Sequence, residues 1–339
     1  MKRALIFSVI GIFIACTNPA AQKERNNVDS AKDHKSTKAN NSTGGLDTGQ
    51  YNRLQQYISN GDTTGRWPVK HEYPKAGAIL PFKRIIAYYG NLYSTSMGAL
   101  GEFQKSTMFK MLMAEVKKWS DADSVIKAIP ALHYIAVTAQ LAPGKDGKYR
   151  ARMPFSQIDT VISWAKEINA LVFIDVQVGL STIQHELPEF EKYMSMPNVH
   201  LGIDPEFAMV PKGKRPGTVI GTYDASDINF TTNYLADLVK KHNLPPKILV
   251  IHRFTQGMVT NTRNIKLQPE VQIVMHMDGW GGHAKKIGTY RSWIFPEPVQ
   301  FTGVKLFYKN DTERSAEKEL LPVPAILNLV PKPVYIQYQ

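Results

Sequence analysis

Two acidic residues directly follow a short apolar segment in the middle of the chain. The segment is Val199–Ile203, and Asp204 and Glu206 come immediately after it. A buried carboxylate must be paired or lose its solvation, so acids at this position are more typical of chemistry than of packing. Glycoside hydrolysis requires two carboxyl groups at one bond, one protonated and one ionised. The alternative interpretation is that one acid caps the following helix and the other is solvated.

Glu206 is the candidate general acid, because repulsion from Asp204 is expected to raise one pKa of the pair. Asp278 or Asp175, each at the end of another apolar segment, is then the second carboxylate. Other polar and aromatic side chains at predicted strand ends are expected to bind substrate, since aromatic rings provide stacking faces for sugars. These residues are Tyr88, Tyr89, Glu102, Gln177, His252, His276 and Trp280.

A metal-dependent hydrolase is one alternative, because histidines and carboxylates are residue types that bind zinc or manganese. The residues concerned are His252, His276, Asp175, Asp204 and Asp278. The chain has neither an HxH nor an HExxH spacing, so the sequence assigns no metal site. It also lacks the GxxxxGKS and GxSxG motifs and a GxGxxG turn after the first strand, so no cofactor is predicted. The other alternative is a glycan-binding protein without catalysis.

These residues need a scaffold that brings strand ends together. Apolar, β-rich segments alternate with segments of helical periodicity, most clearly 106–119, 156–169 and 226–242. This alternation predicts a parallel α/β sheet, and about eight strands predict a single-domain (β/α)8 TIM-type barrel over residues 51–339. The predicted strands are 84–89, 132–138, 170–176, 199–203, 218–222, 247–252, 271–277 and 303–308. The proline-rich tail, 321–339, is expected to lie along the barrel.

The order of the predicted strands determines which acids face each other. Asp204 follows the fourth predicted strand and Asp278 follows the seventh. These two strands are expected to lie across the barrel from each other, with both acids at the catalytic rim.

The N-terminus resembles an export signal. Lys2 and Arg3 precede an apolar stretch, 4–15, that is too short to span a bilayer and ends at Cys16, the only cysteine of the chain. Residues 1–16 are therefore predicted to be a bacterial lipoprotein signal with a lipidated Cys16, the alternative being an ordinary secretory signal. Residues 17–50 have almost no large apolar side chains and predict a disordered tether. The expected location is the bacterial cell envelope, with the lipid in a membrane.

The formal net charge of +12 favours anionic neighbours such as a membrane surface or an acidic glycan. No basic helix stands out, so nucleic acid is not an expected partner. The single cysteine excludes disulfides and thiolate metal sites from the folded part. The expected partners are a polysaccharide substrate and a membrane, and the sequence does not specify an oligomeric state.

Several segments resemble a group of exported bacterial proteins that is common in actinobacteria. FIDVQVG (173–179), GIDPEFAM (202–209) and HMDGWGG (276–282) are similar to that group's LDLQPG, LALDPEW and HxDG. The resemblance spans nearly the whole folded part and implies export and a barrel, without a particular activity. By position it includes Glu102, Asp175, Gln177, Asp204, Glu206, His252, His276 and Asp278, whereas Arg253 and Phe207 depart from the pattern.

A more distant analogy links the chain to chitinase-like barrels, whose fourth strand ends in DxDxE with the Glu as general acid. This chain keeps the last two acids, Asp204 and Glu206, and has Gly202 in place of the preceding one. The analogy therefore implies a carboxylate mechanism rather than the substrate-assisted one. The resulting prediction is a lipid-anchored barrel that hydrolyses a cell-envelope or environmental polysaccharide.

Overall fold

The computed structural model describes residues 45–339. Within this range, eight parallel strands pair in chain order, and the last strand also pairs with the first, which closes a barrel. The strands are β1 (Arg84–Gly90), β2 (Ala128–Ala139), β3 (Leu171–Val176), β4 (Val199–Ile203), β5 (Lys247–Arg253), β6 (Val271–Met277), β7 (Phe301–Leu306) and β8 (Tyr335–Tyr338). The predicted (β/α)8 barrel is confirmed.

Helices cover the outside of the barrel and one of its ends. The longer ones are α1 (Thr48–Ser59), α2 (Lys105–Ala122), α3 (Phe155–Glu167), α4 (Ala225–His242) and α5 (His283–Thr289). Shorter helices are Ala99–Glu102, Ile183–Glu186, Glu191–Met194, Asn310–Glu313 and Val323–Leu327. Helix α4 begins with a capping box formed by Asp224 and Asp227, which satisfies N–H groups that the helix itself leaves unpaired. Two short strands, Tyr223–Asp224 and Val259–Thr260, form a separate small sheet. Another short strand, Arg150–Arg152, pairs with the end of β2 in antiparallel direction.

The prediction of a fifth strand at 218–222 is wrong, because the structure has no strand there. The segment's backbone N–H groups pair with the turn after β4 instead of with a strand: Gly221 donates to the carbonyl of Glu206 at 2.7 Å, and Thr222 donates to that of Ala208 at 3.0 Å. The β-branched residues of this segment resemble a strand, but its hydrogen bonds support the turn that carries Glu206.

The eighth strand, Tyr335–Tyr338, lies in the tail that was expected only to lie along the barrel. It has only four residues and begins two positions after Pro333, and the prolines that precede it conceal the strand signal. It pairs with β1 on one side and β7 on the other. Asp278 therefore follows the sixth strand, so it lies two strands from Asp204 rather than directly across the barrel.

The folded part begins slightly earlier than predicted. Helix α1 starts at Thr48, and the Asp47 side chain accepts a hydrogen bond from the N–H of Gln50, whereas the tether was predicted to extend to residue 50. Cys16 and the rest of the predicted signal and tether lie outside the described residues. Among the helices of residues 45–339, none has the length and apolar character needed to cross a membrane.

Candidate active site

The residues that face the barrel interior change from apolar to polar along β3 and β5. On β3 the inward positions are Leu171, Phe173 and Asp175, and on β5 they are Ile248, Val250 and His252; all six are buried. Because side chains alternate between the two faces of a strand, a spacing of two selects one face. The apolar side chains lie at the strand starts and the polar ones at the carboxyl ends, where barrel enzymes carry their catalytic groups.

Asp204 and Glu206 lie in the turn at the carboxyl end of β4. The chain forms a single turn of 3₁₀ helix there, Pro205–Phe207, and the Asp204 carboxylate accepts a hydrogen bond from the N–H of Glu206 at 3.0 Å. The capping interpretation is therefore correct for Asp204. Glu206 is partly buried rather than fully solvated.

The environment of this pair favours the protonated form of Glu206. Burial raises the pKa of Glu206 to about 8, and the negative charges of Asp204 and Asp278 act in the same direction. Burial likewise raises the pKa of Asp204 to about 7. A carboxylic acid that stays protonated near neutral pH can donate a proton to a leaving group.

Asp278 has the opposite environment, because two basic side chains contact it. The ammonium of Lys305 lies 3.1 Å from Asp278 Oδ1, and Nδ1 of His252 lies 2.7 Å from Oδ2. Burial alone would raise the pKa of Asp278, but the charges of Lys305 and His252 hold it below its ordinary range. Lys305, on β7, is a site residue that sequence reasoning missed.

Asp175 lies within the barrel, buried beneath the solvent surface. Its Oδ2 accepts a hydrogen bond from the Tyr89 hydroxyl at 2.8 Å, and its Oδ1 faces His133 Nε2 at 3.5 Å and His252 Nε2 at 3.6 Å. Burial opposes its ionisation, yet the His252 charge and the nearby His133 lower the pKa of Asp175 to about 2. Gln177 lies above it, with Nε2 3.4 Å from the Tyr89 hydroxyl and 3.5 Å from Asp204 Oδ2.

His133 is the second site residue that sequence reasoning did not select. It is fully buried on β2, its ring stacks on Phe173 at 5.3 Å, and its Nδ1 lies 2.6 Å from the Tyr335 hydroxyl on β8. The sequence signal is its position two residues after Ala131, on the inward face of β2. That signal has meaning only once the register of the strand is known.

The remaining predicted substrate-binding residues are dispersed. Tyr88 points away from the interior, into the layer between strands and helices, and its hydroxyl lies 2.8 Å from that of Tyr308. Glu102 forms a partly exposed ion pair with Lys309. His276 is fully buried against Tyr335, at 5.1 Å between ring centroids. Trp280 is 36% exposed, with the Lys285 ammonium 4.3 Å from its ring centroid.

Gly202 explains the departure from the chitinase-like pattern. A side chain at this position would collide with His133 Nε2 and Asp175 Oδ1. Position 202 is therefore too close to His133 of β2 and Asp175 of β3 to carry the first acid of DxDxE.

A surface cavity of about 620 Å³ lies beside the loop between β5 and β6. It is lined by residues 256, 257, 259–264 and 297, and none of the carboxyl groups of Asp175, Asp204, Glu206 or Asp278 lines it. The candidate site is therefore defined by its side chains and not by this cavity.

Comparisons with known proteins concern the fold. The chain matches no protein-family model and no curated protein sequence. Among solved structures it is similar to a cellulase, with 12% identity, a TM-score of 0.37 and coverage of 69% of this chain and 67% of that one. It is also similar to a mannanase from Bacillus subtilis, with 12% identity, a TM-score of 0.38 and coverage of 87% and 86%. A ruminal endo-β-1,4-mannanase aligns at 12% identity and a TM-score of 0.32, over 83% of this chain and 65% of that one.

The class defined by these observations is a closed (β/α)8 barrel with a polar, partly ionised interior at the carboxyl ends of its strands. The barrel follows from the strand pairings themselves. At 12% identity and these TM-scores, the similar structures do not identify a substrate or any catalytic residue.

Proposed function

We propose that the protein is a glycoside hydrolase. The observation that carries the proposal is Glu206, a partly exposed carboxyl group at the barrel mouth whose surroundings keep it protonated near neutral pH. A second carboxyl group, Asp278, lies close enough for its charge to act on Glu206, and it contacts the ammonium of Lys305 at 3.1 Å. One proton donor and one carboxylate are the two groups that this reaction needs.

The proposed roles follow from these surroundings. Glu206 donates its proton to the glycosidic oxygen as the bond from that oxygen to the anomeric carbon breaks. Asp278 either attacks that carbon as nucleophile or deprotonates the water that attacks it. In the first case a glycosyl ester of Asp278 forms, and water then hydrolyses this ester while the Glu206 carboxylate takes up the proton of that water. Asp204 fixes the turn through the N–H of Glu206 and raises the pKa of the acid. Asp175 is fully buried, whereas Asp278 is partly exposed, which favours Asp278 as the second carboxylate.

The test is a panel of neutral and acidic polysaccharides with product analysis, followed by the Glu206→Gln variant. Glutamine keeps the shape of the side chain but cannot donate the proton, so turnover should fall by about 10²- to 10⁴-fold. Glu313→Gln is the matched control, because Glu313 is an exposed acid in the segment after β7 and should leave turnover unchanged.

Two results would contradict the proposal. Near-normal turnover by Glu206→Gln would show that Glu206 is not the general acid. Sugar binding that survives this change, with no product from any polysaccharide, would favour a glycan-binding protein without catalysis.

We also propose that lipid on Cys16 holds the protein in the bacterial cell envelope, where the substrate is a cell-envelope or environmental polysaccharide. The apolar stretch that ends at the single cysteine supports this location. Mass spectrometry of the mature N-terminus tests it: a diacylglycerol-modified Cys16 is expected, and an unmodified residue at the N-terminus of the mature chain would contradict it.

A further inference from the structure

Three buried ligand-type atoms converge inside the barrel without hydrogen-bond partners. They are His133 Nε2, His252 Nε2 and Asp175 Oδ1, and all three side chains are fully buried. Unpaired polar atoms in such a position cost free energy, so three of them at one point require an explanation. They lie within 4.8 Å of one another.

The distances between these atoms distinguish a direct contact from a shared ligand. Asp175 Oδ1 lies 3.5 Å from His133 Nε2 and 3.6 Å from His252 Nε2. Both separations exceed the 2.7–3.2 Å typical of an N–H···O hydrogen bond. Two ligands about 2.1 Å from one tetrahedral ion are about 3.4 Å apart, which is close to the observed separations.

The other polar atoms of the same side chains are already held in place. His252 Nδ1 lies 2.7 Å from the Asp278 carboxylate. His133 Nδ1 lies 2.6 Å from the Tyr335 hydroxyl and 3.0 Å from the amide Nε2 of Gln337. The remaining oxygen of Asp175 accepts a hydrogen bond from Tyr89. A metal-binding histidine usually donates its second ring N–H to a carboxylate or another acceptor, and this fixes which nitrogen faces the metal. Each of the three side chains therefore directs its unpaired atom toward the others.

We propose that His133, Asp175 and His252 bind one divalent transition-metal ion of the zinc class. Two imidazoles and one carboxylate are a donor set suited to zinc, and three protein ligands leave a fourth position for a water molecule. Gly202 keeps this space open, since any side chain there would reach two of the three ligand atoms. The site is distinct from the proposed acid Glu206, so the presence of metal does not depend on glycoside hydrolysis.

The first test measures metal content in the purified full-length protein. Elemental analysis after purification without chelators should find about one zinc, iron or manganese ion per chain. After chelation, Co²⁺ added alone should restore one equivalent and give the visible absorption of a site with nitrogen and oxygen ligands. The midpoint of thermal unfolding should rise when Zn²⁺ is returned, because an ion bound only to the folded state stabilises it.

Variants then locate the ion. His133→Gln and Asp175→Asn should each abolish the bound equivalent. Asp278→Asn leaves the three proposed ligands in place but replaces the carboxylate partner of His252 Nδ1, and it should weaken Co²⁺ binding by about 10- to 100-fold. His200→Gln is the matched control, because His200 is a fully buried histidine on the neighbouring strand β4 whose Nδ1 accepts the Ile248 N–H, and the variant should keep the ion.

The readouts separate this proposal from the proposed function. Absence of a stoichiometric ion in the wild-type protein, with no thermal shift on adding Zn²⁺, would overturn the metal site even if the ligand variants fail to fold. Retention of the ion by folded Asp175→Asn would also overturn it. Loss of polysaccharide hydrolysis in Glu206→Gln, with the metal equivalent unchanged, leaves the metal site supported.

Discussion

The two halves of the barrel interior differ in chemistry although the same eight strands build both. At the amino-terminal half, Ile85, Leu171 and Ile248 form an apolar cluster with α1, which contributes Tyr51 and Leu54. At the carboxyl half, the inward side chains are histidines, acids and a lysine. The residues that stabilise the barrel and the residues suited to chemistry are therefore separated along the strand direction by only a few positions.

The physical basis of this separation is the cost of burying polar groups. Burial of apolar surface stabilises the folded state by roughly 25 cal/mol per Å². Burial of a charge costs a large desolvation free energy unless a partner of opposite charge or a hydrogen bond compensates for it. In the carboxyl half, Lys305 and His252 contact the Asp278 carboxylate, and His252 also lies 3.6 Å from Asp175. The apolar half stabilises the barrel that holds these polar groups in place.

Ile248→Ala breaks the apolar half and should have the largest effect on stability. Ile248 is fully buried, and removal of its side chain leaves a cavity that costs about 3 kcal/mol. Urea denaturation measures the loss, and Ile248→Val should lose only about 1 kcal/mol. Turnover per folded molecule should stay at the wild-type value. A large fall in turnover at saturating substrate would show that the two halves are not separate.

Gly202→Ala adds one methyl group to the polar half. The new carbon would collide with His133 Nε2 and Asp175 Oδ1, so the variant should lose about 2 kcal/mol of stability. Gly288→Ala in α5 is the control, because no atom lies within 4 Å of the added carbon there. It should lose no stability. Unchanged stability of Gly202→Ala in urea would mean that the polar half is loosely packed.

The pH dependence should come from the polar half. Because Glu206 must be protonated to act as acid, kcat/KM should fall about tenfold per pH unit above its pKa of about 8. A raised carboxyl pKa means that the folded state binds the proton more tightly than the unfolded chain. The stability contribution is therefore present below the ordinary value of 4.5 and is lost as the pH rises through about 8.

The free energy of unfolding, measured in urea at pH 5 and at pH 8, shows how much of this contribution each variant keeps. Glu206→Gln should show a smaller loss of stability between the two pH values than the wild type, and Ile248→Ala should show the wild-type loss. The same pH dependence in Glu206→Gln and in the wild type would exclude Glu206 as the titrating group.

Trp280→Ala tests whether the exposed surface of the carboxyl half binds substrate, and it should have the smallest effect of these variants. Trp280 is 36% exposed on the segment after β6, and stacking on an aromatic face contributes about 0.5–1.5 kcal/mol. KM should rise about three- to tenfold with kcat nearly unchanged. Tyr73→Ala is the control, since Tyr73 is 46% exposed beside Tyr51 of α1, at the opposite end. An equal rise in KM for both variants would show that Trp280 does not bind the substrate.

Much of this arrangement could be predicted from the sequence. Val199–Ile203 and Val271–Met277 are predicted with their observed bounds, because both are short segments of mostly apolar residues, and an acidic residue follows each of them directly. The grouping of Asp175, Asp204 and Asp278 follows from the rule that parallel strand ends meet at one edge. Both predictions depend only on local patterns.

The features that failed depend on register and pairing. Tyr88 and Tyr89 are indistinguishable by residue type, but only Tyr89 faces the interior, because one residue along a strand reverses the direction of the side chain. His133 and Lys305 belong to the site because they lie close to Asp175 and Asp278, which are on other strands or follow them. The segment 218–222 has strand-like residues, yet its N–H groups pair with a turn, which no local pattern shows.

Closure of the barrel has a consequence for the timing of folding. Strand β8 pairs with β1 across most of the folded sequence, and its Tyr335 hydroxyl fixes the ring nitrogen of His133. Such long-range pairings form slowly, and the chain is synthesised from its N-terminus. An emerging chain therefore contains the histidines and acids of the interior well before it contains the strand that aligns them. Acquisition of the site should coincide with the last step of folding, so a partly made chain carries the chemical groups of the site without their geometry.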